Sequence, residues 1–335
     1  MKKLLSFLKD YKKESILAPL FKMLEAFFEL FVPLVMKKII DVGIANGDRP
    51  YIVRMCLLMV ALGIIGLACS LTAQFFAAKA AVGCSTKLRH ALFSHIQGLT
   101  YTEIDDLGTS TMITRMTSDI NQVQSGVNMV LRLFMRSPFI VFGAMIMAFT
   151  IDVKAALIFV VTIPVLSVIV FGIMMITMPL FKKVQKGLDR VLSKTRENLT
   201  GVRVIRAFAQ EQEEISEFGE ENTALTKLQM RVGRISALTN PLTYIVVNLS
   251  IAALIWVGAL RVDAGIITQG AVIALVNYMS QILVELVKLA NLIVTITKAL
   301  ACAGRIEKVF EIEPSMVYGD KAEYEKKKAE AGNTA

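Results

Sequence analysis

Apolar windows about 20 residues long recur along this chain, and no other feature constrains its fold as tightly. A helix of about 20 residues crosses a ~30 Å hydrocarbon core. Inside lipid every backbone N–H and C=O must be bonded internally, so several such windows fold as a bundle of helices. Six spans are expected, at roughly 16–41, 52–78, 126–150, 154–178, 238–260 and 268–293. The fold class is therefore an all-α, multi-pass membrane protein. Composition agrees: 55% of residues are hydrophobic and 19% are charged, where soluble domains carry about a quarter charged.

The connections between spans are unequal. Those near 42–50, 151–154 and 261–269 are short, and those at about 79–125 and 179–237 are long. Lysines 2, 3, 9, 12 and 13 crowd the N-terminal tail, and eleven Lys and Arg residues fall between 179 and 237. The short connections contribute Arg49, Lys154 and Arg261. Cationic residues collect on the cytoplasmic side, so both termini and both long connections are expected there. The net charge of +9 follows this pattern, and no basic patch is interleaved with aromatics, which argues against a nucleic-acid partner. Cys56, Cys69, Cys84 and Cys302 form no CxxC pair, and His90 and His95 are five apart on different helix faces. Neither a disulfide framework nor a metal site is expected.

The second long connection keeps a helical rhythm. Leu188, Leu192, Thr195, Leu199 and Val202 follow a 4-3-4-3 spacing, the seam by which one helix packs on another. The fourth span is expected to run on as one helix from about 154 to 206, roughly 80 Å long at 1.5 Å per residue. Pro164 and Pro179 would kink it. A second helix over about 219–237 would return to the membrane. Near the tip, "AFAQEQEE" sets Phe208 among Glu211, Glu213 and Glu214. That suits docking into a groove on another protein, and equally a solvated hairpin turn.

Charge also enters the spans. Lys22, Glu25 and Glu29 fall within about 60° of one another on the first helix, and Asn277, Gln281, Glu285, Lys288 and Asn291 form a stripe on the last. Charges at mid-bilayer cost roughly 2.5–3.5 kcal/mol each and rarely face lipid. Either the stripes line a water-filled pathway, or Lys22 pairs with Glu25 or Glu29 and Lys288 with Glu285, or the lysines snorkel to the interface. The first stripe sums to one negative charge and the last to zero, a slight lean toward cationic amphiphiles.

Three motifs resemble the transmembrane domain of ABC exporters of the six-span, half-transporter kind. "ENLTGVRVIRAFAQE" is similar to that family's second intracellular loop, through Glu197, Gly201, Ile205, Arg206, Ala207 and Phe208. "LGTSTMITRMTSDINQV" resembles its G-x-L-x-x-R-x-x-x-D, through Gly108, Arg115 and Asp119. "GALRVDAGIITQGAVIALVNY" resembles the start of its sixth span, through Gly258, Gly265, Thr268 and Gly270. The resemblance covers about 16–312, so residues 1–312 are expected to be one transmembrane domain and 313–335 a charged linker. It departs from the family at Glu103-Ile104-Asp105, where a Phe-Phe or Phe-Asp pair is usual, and at "VELVKL", where a Pro is common, so a straighter sixth span is expected.

The resemblance implies the membrane subunit of an ATP-driven exporter, dimeric with itself or a paralogue. Tyr101, Glu103 and Asp105 on the first intracellular loop, and Phe208, Ala209, Gln210 and Glu211 on the second, would couple it to nucleotide-binding domains. Lys22, Glu25, Glu29, Asn277, Gln281, Glu285 and Lys288 would line the pathway of a small amphiphilic substrate. No GxxxxGK[ST] string occurs to cradle phosphates, so no cofactor is expected on this chain and no catalytic residue either. ATP and Mg would be held by a nucleotide-binding domain beyond residue 335 or on a separate chain. Gly201 is either a bend point or a site of close packing. Two rivals stand beside this reading: a secondary transporter driven by an ion gradient through Glu25, Glu29 or Glu285, and a non-transporting membrane scaffold or sensor.

Overall fold

A computed structural model describes residues 7–312. The expected linker at 313–335 lies outside the described residues, as do Lys2 and Lys3. The described chain is helical, with no strand among its residues. In order it runs α1 (Lys12–Lys38), α2 (Arg49–Gln97), α3 (Tyr101–Leu107), α4 (Thr109–Thr114), α5 (Ile120–Leu133), α6 (Arg136–Ile151), α7 (Val153–Ala207), α8 (Glu211–Ala237), α9 (Thr239–Asp263) and α10 (Gln269–Phe310). A 3-10 turn at Lys9–Tyr11 precedes α1, and wide π turns occupy Ile39–Ile44 and Arg115–Asp119. Five stretches are long and apolar enough to cross a membrane: Arg49–Gln97, Thr109–Ile151, Val153–Ala207, Glu211–Asp263 and Gln269–Phe310. α1, at 27 residues, is shorter but still long enough to cross, and it carries Lys22, Glu25 and Glu29 within its apolar sequence.

Two expectations about continuity meet opposite outcomes. α7 is unbroken over 55 residues with both Pro164 and Pro179 inside it. The third expected span is interrupted, because α5 ends at Leu133 and α6 begins at Arg136. Pro138 supplies the reason: it has no N–H to give the carbonyl of Phe134, and it is tolerated in a first turn, where N–H groups have no helical partner anyway. α10 is one helix of 42 residues, as its lack of proline suggests.

By packing, the chain divides into two compact units. Among the described residues, one comprises 7–25, 67–136 and 291–312, and the other 26–66 and 137–290. In the second, Phe159, Leu254, Leu275, Met279 and Ile282 are fully buried beside the small residues Ala144, Ala148 and Ala274. Gly143 meets Leu30 so closely that an added Cβ would lie 2.5 Å from Leu30 Cδ1. Small residues let apolar helices approach to van der Waals contact, which in lipid drives their association. The buried Tyr278 hydroxyl donates to the Leu30 carbonyl at 2.6 Å. In the first unit, Ala18, Ala77, Ala80 and Leu131 form one cluster, and Leu88, Leu92, Ile120, Ala303, Ile306 and Val309 another.

The motif before the sixth span folds into a clasp. Gly258 lets α9 close on Val272, whose Cγ2 would lie 2.8 Å from a Cβ there. Gly265 takes φ +70° and ends α9, with Ile266 N–H donating back to the Arg261 carbonyl at 2.9 Å. Thr268 Oγ1 donates to Asp41 at 2.5 Å, and Gly270 N–H to the same carboxylate at 2.8 Å. At the neighbouring connection, Asp152 accepts from Ala155 N–H at 2.8 Å, which caps α7, and from the Arg261 guanidinium.

Candidate functional site

α7 and α8 form the long hairpin expected of the second connection. At 1.5 Å per residue α7 is about 80 Å long, far more than a ~30 Å bilayer core requires. The packed face differs from the leucine seam read in the sequence. Gly187 and Val191 are buried against α8, and Leu225 fits the space at Gly187. Leu192 is 57% and Leu199 73% exposed. The contact lies one position round the helix because glycine lets α8 approach there, which leaves Leu192 and Leu199 largely uncovered by the described residues. Lys194 bridges the hairpin to Glu214 at 2.9 Å and to Glu217. Those hydrogen bonds raise its pKa above the ordinary lysine value.

The hairpin turns at Phe208, Ala209 and Gln210. Gln210 N–H donates to the Ile205 carbonyl at 3.0 Å and Ala209 N–H to the Arg206 carbonyl at 3.3 Å, the bond pair of a Schellman C-cap. Its pivot, Ala209, has φ +53° and is the one non-glycine residue with positive φ among those described. Phe208 stands beside it, 72% exposed, and Gln210 and Glu211 are exposed as well. Behind the tip, Ser193 Oγ donates to Glu197 at 3.3 Å, and Arg206 is exposed. Gly201 is not a site of close packing among the described residues, because a Cβ there would meet only Ile205 Cδ1, at 4.0 Å.

The first long connection presents a short helix, α3. Thr100 and Glu103 form a capping box, with Thr100 N–H donating to Glu103 Oε2 at 2.8 Å. Glu103 thus starts the helix, while Tyr101, 88% exposed, and Asp105 face solvent. Gly108, at φ +73° and ψ 132°, ends α3 in a conformation open mainly to glycine. Arg115 and Asp119 pair at 2.8 Å. Asp119 also accepts from Arg305 of α10 at 3.0 and 2.5 Å. Nothing in the sequence pattern singled out Arg305, which also donates to Cys302 Sγ at 3.1 Å.

The two polar stripes divide between the units. In the first, buried Lys22 donates to Glu25 at 2.5 Å and to Ser70 at 3.0 Å, and Arg136 lies 3.9 Å from Glu25. Arg136 reverses the expected sign, since two cations now surround one carboxylate. Its charge inside the window 126–150 was the available signal. In the second unit, Glu29, Asn277, Gln281, Glu285 and Lys288 line one cavity of about 270 Å³. Glu285 is buried, accepting from Ser137 Oγ at 2.7 Å and from Lys288 Nζ at 2.8 Å. Gln281 Oε1 is buried with no hydrogen-bond partner among the described residues. Of the alternatives in the sequence, internal pairing is found for Lys22 with Glu25 and for Lys288 with Glu285, and the last stripe also borders a cavity.

Residues 15–286 match the family described as ABC transporter transmembrane region. The chain belongs to that family. An uncharacterized ABC transporter ATP-binding protein of Mycobacterium tuberculosis is 32% identical over 304 residues, covering 90% of this chain and 52% of that protein. Another, YfiB of Bacillus subtilis, is 32% identical over 313 residues, covering 93% and 55%. An ATP-dependent lipid A-core flippase of Desulfotalea psychrophila is 26% identical over 228 residues, covering 68% and 40%. This ABC transporter transmembrane region thus spans about half the length of the curated relatives it matches.

Proposed function

We propose that the chain is the membrane-spanning part of an ATP-driven exporter, with six spans and both termini in the cytoplasm. Nucleotide-binding domains, in a partner or in a longer form of the chain, hold ATP and Mg. They seat on two tips, α3 with Tyr101 and Asp105, and the α7–α8 turn with Phe208, Ala209, Gln210 and Glu211. Their closure moves the stiff hairpin and switches the pathway from inward- to outward-facing. The observation that carries this reading is the exposed Phe208 at the end of a helix continuous with an apolar span. The exposed leucines of α7 favour a second transmembrane subunit as the working partner.

Substrate contact belongs to the cavity at Glu29, Asn277, Gln281, Glu285 and Lys288. Its two carboxylates outnumber its one lysine, and Gln281 Oε1 offers an unused acceptor. Both features favour an amphiphile with a cationic or hydrogen-bond-donating head. Lys22 and Glu25, with Arg136, form a separate ion cluster.

Ethidium uptake into inside-out vesicles holding this chain and an ABC nucleotide-binding domain tests the proposal. Uptake is expected with ATP and no ion gradient, and to fall at least severalfold in Glu29→Gln. Uptake that follows a proton gradient and ignores ATP would instead favour the secondary transporter.

A further inference from the structure

The first unit holds a second cavity, of about 200 Å³, which plays no part in the proposed pathway. Its walls include Leu8, Leu88, Val127, Val130, Ile296 and Leu300. The space exists because small side chains meet there. Gly126 brings α5 so close to α10 that a Cβ would lie 2.3 Å from Ala299 Cβ, while Cys84 and Ala303 leave the volume beside that contact unfilled. An apolar cavity of roughly 150 Å³ already stays dry and accepts benzene, so this one favours a hydrocarbon over water.

Position and charge select the hydrocarbon. The lining residues of α2 and α10 lie just past the cytoplasmic ends of the proposed spans 52–78 and 268–293, and those of α5 at the start of 126–150, which places the cleft at headgroup depth. Leu8, one of its walls, leads directly into the exposed Lys9, Lys12 and Lys13. The nearby carboxylates of Asp10 and Glu14 are already engaged, by Lys87 and Lys79. The segment that leads out of the cleft from Leu8 therefore keeps a surplus of positive charge, the pattern that attracts anionic lipid headgroups on the cytoplasmic leaflet.

We propose that this cleft binds one acyl chain of an anionic phospholipid, whose headgroup rests on Lys9, Lys12 and Lys13. The site uses the cytoplasmic placement proposed above but none of the transport machinery, so it is tested without ATP or substrate.

Cys84 reports occupancy, because its thiol lines the cleft. The full chain is placed in nanodiscs of phosphatidylcholine, alone or mixed with phosphatidylglycerol, and exposed to methyl methanethiosulfonate. Peptide mass spectrometry reads Cys84 separately from the other three cysteines. Phosphatidylglycerol is expected to slow modification of Cys84 severalfold. Val127→Phe, which fills the cleft, should react slowly in both membranes. The triple change Lys9→Glu, Lys12→Glu and Lys13→Glu lies on the exposed surface, leaves the cleft intact and should abolish the lipid effect. A Cys84 rate indifferent to phosphatidylglycerol, or an undiminished lipid effect in the triple variant, overturns the proposal.

Discussion

Asp119 shows what one motif residue does physically. Burial alone would raise its carboxyl pKa, but hydrogen bonds from Arg305, Cys302 and Arg115 outweigh burial and hold it below the ordinary carboxylate value. A depressed folded pKa contributes stability that is complete above the unfolded value and lost as pH falls through the folded one. Thermal unfolding should therefore be insensitive to this group near neutral pH, and the cluster should fail only below about pH 4. Asp119→Ala, which strands two guanidinium groups, should cost about 2–3 kcal/mol; Arg305 is partly exposed, which moderates the loss. Calorimetry of the variant at neutral pH checks the figure. Ala209 makes the opposite case. Its left-handed φ costs on the order of 1 kcal/mol, and Gly265 and Gly47 take similar conformations without that strain. Ala209→Gly should raise the unfolding midpoint of the hairpin, read as slower amide exchange in α7 and α8 near the turn.

Among the elements, legibility followed the nature of the interaction. Long helices, short connecting turns and the returning α8 could be read from apolar windows and charge, because those patterns report a helix's own relation to lipid or water. The face that α7 turns to α8 could not. Leu188, Leu192, Leu199 and Val202 form the better heptad in isolation, yet Gly187 decided the contact by permitting close approach to Leu225. The division of the two stripes was equally hidden, because Arg136 and Ser70 reach Lys22 and Glu25 from other helices. Glycines at Gly258, Gly265 and Gly270 were recognisable as a motif, but their reasons are tertiary. A Cβ on Gly270 would lie 2.6 Å from the Lys37 carbonyl oxygen. Gly270→Ala should thus loosen the contact of α10 with α1 and lower the melting temperature by several degrees, through strain of about 1–3 kcal/mol. A melting curve matching the unsubstituted chain would mean that α10 shifts without cost.

For the molecule as a whole, the account joins two features of the unit formed by residues 26–66 and 137–290. One is the cavity shared by Glu29 and the α10 stripe, and the other is the long hairpin with Phe208 at its tip. Membership of the family is established, and the apolar helices make the chain a multi-pass membrane protein. The central claim is mechanical: Phe208 transmits the closure of an ATPase to the pathway. Phe208→Ala, assembled with the nucleotide-binding domains in vesicles, tests it when hydrolysis and transport are measured together. The account predicts that ATP hydrolysis persists near its unsubstituted rate while transport falls at least tenfold. Transport that keeps pace with hydrolysis in that variant would contradict it.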